Sequence, residues 1–70
     1  MGVITAPMAG TVSRLLVGTG DTVASGQDVV ILESMKMEIA VQSEVSGKVK
    51  AVIVGEGAFV DEGSILLELE

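Results

Sequence analysis

The chain contains no cysteine, no histidine, no tryptophan and no tyrosine, and only one phenylalanine and one proline. Each absence removes a class of function. Without cysteine there is neither a disulfide to brace the fold nor a thiol to act as nucleophile or metal ligand. Without histidine the usual general base and the commonest transition-metal ligand are missing. A single aromatic leaves nothing to build base-stacking platforms and predicts an aliphatic core. Positive charge is scarce too: Arg14, Lys36, Lys48 and Lys50 stand against ten acidic residues, for a net charge of −6. Nucleic-acid binding needs clustered Lys and Arg, so it is excluded. No apolar run approaches the roughly 18 residues of a membrane span. The start, Met1 to Ala6, lacks a basic region followed by a long apolar stretch and does not read as a signal peptide. It also has Ala6 where a myristoylation motif wants Ser or Thr. A soluble cytoplasmic protein is expected. Seventy residues make one domain, spanning 1–70, and a chain of that size buries only roughly 60% of its unfolded surface.

What the chain does have is glycine, nine in all, and a repeat that places them. Moving residues 6–33 forward by 37 positions superposes them on 43–70. Gly10, Gly18, Gly20 and Gly26 then fall on Gly47, Gly55, Gly57 and Gly63, and Val12, Val17, Val23, Leu32 and Glu33 on Val49, Val54, Val60, Leu69 and Glu70. Each half reads as short strands between glycine turns. Gly10–Val17 is one strand region, Thr22–Val23 a brief one and Val29–Ser34 the last, with turns at Gly18–Asp21 and Ala24–Asp28. No segment carries a capped helical period. Alternation of Leu67 and Leu69 with Glu68 and Glu70 points the leucines inward, and the repeat extends this to Val30 and Leu32. The expectation is all-β, a sandwich or flattened barrel of two halves about a pseudo-twofold axis. That axis maps the link between the halves onto the two chain ends, so residues 34–42 should occupy the pole opposite the termini.

At the centre of that link stands Glu33-Ser34-Met35-Lys36-Met37-Glu38. Val29–Leu32 before it and Ile39–Val41 after it read as strands, which makes Met35-Lys36 a two-residue hairpin turn. Such turns favour Asn-Gly or Asp-Gly, because both central residues take positive φ. A chain with glycines elsewhere has placed none here, and local rules tend to be broken at functional sites. Lys36 is therefore a candidate for chemistry. Other constellations are weaker. Gly18-x-Gly20 lacks the third glycine and the helix of a dinucleotide fingerprint. Asp21, Asp28 and Asp61 lie near glycines but match no EF-hand spacing. Lys48 and Lys50 read as outward residues of a strand.

Met35-Lys36-Met37, flanked by Glu33 and Glu38, resembles the attachment motif of the biotinyl domain of biotin carboxyl carrier proteins. Ala6-Pro7-Met8-Ala9-Gly10, Gly20-Asp21-x-Val23 and Gly47-Lys48-Val49 are similar to that family as well, so the resemblance covers essentially the whole chain. It implies a flattened β-barrel of two four-stranded antiparallel sheets (a barrel-sandwich hybrid) with Lys36 on a hairpin, amide-linked to biotin by a biotin protein ligase. Met35 and Met37 would be adaptable apolar contacts for ligase or biotin, and Glu33 and Glu38 would aid ligase recognition or solvate the flanks. The first half has no insertion relative to the second, so the chain resembles the type without a thumb. The resemblance further implies a non-catalytic carrier that shuttles a carboxyl group between a biotin carboxylase and a carboxyltransferase or decarboxylase. Two rivals share the fold. A lipoyl domain of an oxo-acid dehydrogenase complex carries Asp-Lys and a small residue where Met35, Lys36 and Met37 stand. An unmodified structural or interaction module would have no need of the lysine motif.

Overall fold

The computed structural model describes residues 2–70; Met1, and with it the first residue of the expected 1–70 domain, lies outside the described residues. Eight strands follow one another: β1 (Gly2–Thr5), β2 (Gly10–Leu15), β3 (Thr22–Val23), β4 (Asp28–Ser34), β5 (Met37–Gln42), β6 (Gly47–Val52), β7 (Phe59–Val60) and β8 (Ile65–Leu69). They form two four-stranded antiparallel sheets, ordered β1-β8-β6-β3 and β5-β4-β2-β7. The internal repeat is visible in that order, since β1, β8, β6 and β3 correspond one to one with β5, β4, β2 and β7. The brief strands β3 and β7 are exchanged. β3 of the first half pairs with β6, and β7 of the second half pairs with β2, so neither half closes a sheet without the other.

The symmetry extends to individual hydrogen bonds. Gly26 N–H donates to the Ser43 carbonyl, and Gly63 N–H to the Ala6 carbonyl. Gly20 N–H reaches Val49 and Gly57 N–H reaches Val12. All four donors have φ between 87° and 93°, a region open to glycine at little cost. The glycine register of the sequence is thus the register of the turns.

The core between the sheets is aliphatic, as composition requires. Val12, Val23, Val29, Val30, Leu32, Val49, Leu66 and Leu67 are at most 1% exposed, whereas Phe59 lies outside the core at 68%. Val30, Leu32, Leu67 and Leu69 point inward as alternation predicts. Val29 and Leu66 depart from it: each is fully buried beside another buried residue. The pairing register explains this. Along β4 it steps from Asp28↔Gln42 to Val30↔Val41, and along β8 from Ile65↔Thr5 to Leu67↔Ile4. Val29 and Leu66 are therefore the extra residues of two equivalent β-bulges, and the added backbone turns both side chains into the core.

The molecule measures 31 × 19 × 18 Å. β4, at seven residues, spans about 23 Å of the long dimension. One end of the β4–β5 ribbon is the Ser34↔Met37 pair and the turn beyond it. The other end, at Gln42, shares a surface cleft with Gly2–Thr5. The Gly2↔Leu69 pair brings the two chain ends together, and Gly47 ties Leu69 and Glu70 to that side. The hairpin and the termini occupy opposite poles.

Candidate functional site

The hairpin at the free pole carries Lys36. Met35 has φ 53° and Lys36 φ 66°, the conformation that a two-residue hairpin turn demands at both central positions. These are the only non-glycine residues with positive φ among the described residues. Left-handed backbone in residues with a Cβ costs roughly 1–2 kcal/mol each. The cost persists because the ladder on either side dictates the turn: Leu32↔Ile39, Glu33↔Glu38 and Ser34↔Met37 are paired without interruption up to it.

Sharp reversal at these two residues throws their side chains outward. Met35 is 91% exposed and Met37 60%, and Lys36 is exposed. Among the described residues, no side-chain hydrogen bond involves the Lys36 ammonium. The site is a primary amine bracketed by two solvent-facing thioethers. Two clefts of about 360 and 220 Å³ are lined instead by residues of the opposite pole and the β1 edge.

Glu33 and Glu38 are exposed and directly opposite one another on β4 and β5. Sequence alone places them on the flanks; the register makes them a facing pair. Like charges in that arrangement repel, and Ser13 offers Glu38 a long hydrogen bond of 3.5 Å from Oγ to Oε2. The row continues across the outer face of the sheet through Thr11, which pairs with Glu33 on one side and Phe59 on the other. Neither Thr11 nor Phe59 is marked by any local motif, because their neighbourhood to the hairpin is created by strands far apart in sequence. Lys48 and Lys50 are exposed on β6 of the other sheet, away from Lys36. Among the described residues no group of His, Cys, Asp or Glu could hold a metal ion.

Fold and site together define a lysine-presenting half-barrel: two four-stranded β-sheets over one aliphatic core, with an exposed lysine at the turn between β4 and β5. The chain belongs to the biotin/lipoyl family, whose model, described as biotin-requiring enzyme, matches residues 2–69. Among similar proteins, the biotin/lipoyl attachment protein of Bacillus subtilis is 53% identical over 62 residues, covering 89% of this chain and 85% of that protein. The biotin carboxyl carrier protein of Streptococcus mutans is 42% identical over 64 residues, and the match spans 49% of its length. The mitochondrial propionyl-CoA carboxylase alpha chain of Sus scrofa is 41% identical over 68 residues, which is 9% of that chain. Among solved structures, the urea carboxylase of Kluyveromyces lactis superposes with a TM-score of 0.91 at 28% identity, over 99% of this chain and 6% of that one.

Proposed function

We propose that this protein is a biotin carboxyl carrier whose prosthetic group is joined to Lys36. The observation that carries the reading is an exposed amine, with no hydrogen-bond partner among the described residues, at the apex of a strained hairpin in a chain of the biotin/lipoyl family. The residues present fit the group. An exposed primary amine can form an amide with a carboxyl group that a modifying enzyme has activated with ATP, the activating group leaving as the C–N bond forms, and a bare hairpin tip can enter the active site of such an enzyme.

Attachment asks three things of this chain. The Lys36 Nζ must be free to attack as the unprotonated amine, and no hydrogen bond within the described residues competes for it. The tip must enter the ligase at a fixed angle, which the rigid β4–β5 ladder provides. Loss of the ammonium charge on amide formation must leave the fold intact, and an unpaired surface charge meets that condition. Biotin, when bound, supplies a carrier site for an activated carboxyl group. Met35 and Met37 offer polarisable apolar contact to the ligase or to the group itself. Glu33 and Glu38 form the acidic recognition element behind them.

The chain holds no catalytic constellation of its own in this reading; residues 1–70 form one biotinyl domain, acting in the cytoplasm as carrier and not as enzyme. Its partners are a biotin protein ligase, a biotin carboxylase and a carboxyltransferase or decarboxylase. Tethering to a carrier gives the group a high effective concentration at both enzyme sites. The distance of Lys36 from both termini keeps any covalent tether clear of the docking pole.

The deciding experiment is intact-mass analysis of the protein produced beside active biotin and lipoate ligases, with peptide mapping. A biotin adduct on the Lys36 peptide supports the proposal. A lipoyl adduct assigns the protein to oxo-acid dehydrogenase chemistry, and unmodified protein beside both sufficient ligases makes it an interaction module.

A further inference from the structure

The internal repeat supplies a built-in control for the role of each glycine. Gly20, Gly26, Gly57 and Gly63 are required by their positive φ. Gly10 and Gly47 are not, since neither has positive φ. They occupy equivalent positions at the starts of β2 and β6 and are clamped on one side by equivalent pairs, Gly10↔Val60 and Gly47↔Val23. Their other sides differ. A Cβ built on Gly47 would lie 3.6 Å from the Leu69 side chain, which is ordinary contact. A Cβ on Gly10 would lie 2.8 Å from the Glu33 carbonyl oxygen and 3.5 Å from Ser34 Cβ. The first of these is backbone and cannot swing aside. Glu33 and Ser34 are the last two residues of the strand that enters the Met35-Lys36 turn.

We infer that Gly10 is a positioning residue for the Lys36 hairpin. Its missing side chain lets β2 seat directly against the end of β4, and this close approach sets the direction in which the turn projects. With β7 holding β2 from the far side, a methyl group at position 10 is accommodated by moving the end of β4, and the strained turn moves with it. The remainder of the sheet, beginning with the Thr11↔Glu33 and Val12↔Leu32 pairs, keeps its register.

The test compares Gly10→Ala with Gly47→Ala in the full chain. Circular dichroism reports whether the sheets form. NMR shifts and the HN–Hα couplings of Met35 and Lys36 report the turn. The rate of biotin attachment by purified biotin protein ligase with biotin and ATP reports its presentation. In Gly10→Ala the sheets form, the resonances of 33–37 shift, and kcat/KM for attachment falls between about tenfold and a hundredfold, the range expected when a reacting group is displaced by about 1 Å. In Gly47→Ala the hairpin resonances stay in place and attachment stays within about twofold of the parent. Unchanged hairpin resonances in Gly10→Ala, equal effects of both substitutions on the hairpin, or a Gly10→Ala chain that does not fold would each overturn the inference. The enzymatic readout rests on the function proposed above. The NMR comparison does not, so absence of ligation in the parent protein would sink that function while leaving the positioning role to be judged by the resonances.

Discussion

At the scale of single residues, the hairpin sets display against stability. Met35 and Lys36 hold left-handed backbone that Asn or Gly would adopt more readily. Met35→Asn is therefore expected to stabilise the free protein by about 0.5–1 kcal/mol, seen as a higher urea midpoint at unchanged slope, while slowing attachment if Met35 contacts the ligase. Lys36→Arg keeps the charge and the exposure but replaces the amine with a guanidinium. Stability should stay within about 0.5 kcal/mol of the parent, as for other surface changes, and the mass shift of attachment should vanish. A modified Lys36→Arg protein would disprove the assignment of the handle.

At the scale of elements, the two bulges decide how much core a small sandwich can hold. Each adds a buried side chain, Val29 in β4 and Leu66 in β8, that strict alternation would leave in water. Leu66→Ala should cost about 2–5 kcal/mol by loss of burial and a residual cavity. Its neighbour Ile65, 41% exposed, should lose less than about 1 kcal/mol on truncation. Thermal unfolding of the pair checks the contrast, and similar losses at both sites would refute the bulge account. Ser43 makes a comparable point. It is 1% exposed and its Oγ donates to the Val45 carbonyl, yet the repeat places Ala6 at the equivalent buried position. Ser43→Ala should lose that bond, about 0.5–1.5 kcal/mol, together with the long one that Oγ accepts from Val45 N–H, and leave the fold unchanged by circular dichroism.

At the scale of the whole molecule, two features shape its behaviour with partners. The net charge of −6 opposes compaction through self-repulsion and favours encounter with basic surfaces. Added salt should raise the unfolding midpoint of the free protein and weaken its productive encounter with the ligase, raising KM, because screening acts on both terms. A ligase KM that falls or stays flat with salt would argue against acidic steering through Glu33 and Glu38. The other feature is polarity of layout, with the amine at one pole and both chain ends at the other. A fusion at either terminus should leave attachment at Lys36 within about twofold of the parent, whereas a few residues inserted after Ser34 should abolish it.

Much of this was legible in the residues. The glycine repeat announced two like halves, the Leu-Glu alternation assigned the inner faces of β4 and β8, and a Met-Lys pair in a turn that wants Asn-Gly marked the hairpin proposed as the site. These signals are local, or repeat at a fixed offset, so one dimension is enough to carry them. The exchange of β3 and β7, the facing of Glu33 and Glu38, the inward turn of Val29 and Leu66 and the seat that Gly10 provides for the hairpin depend on which strands lie side by side and in what register. Pairing energy is shared among backbone groups that every residue has in common, so register leaves little trace in residue identity. It is settled only when both sheets close over one aliphatic core.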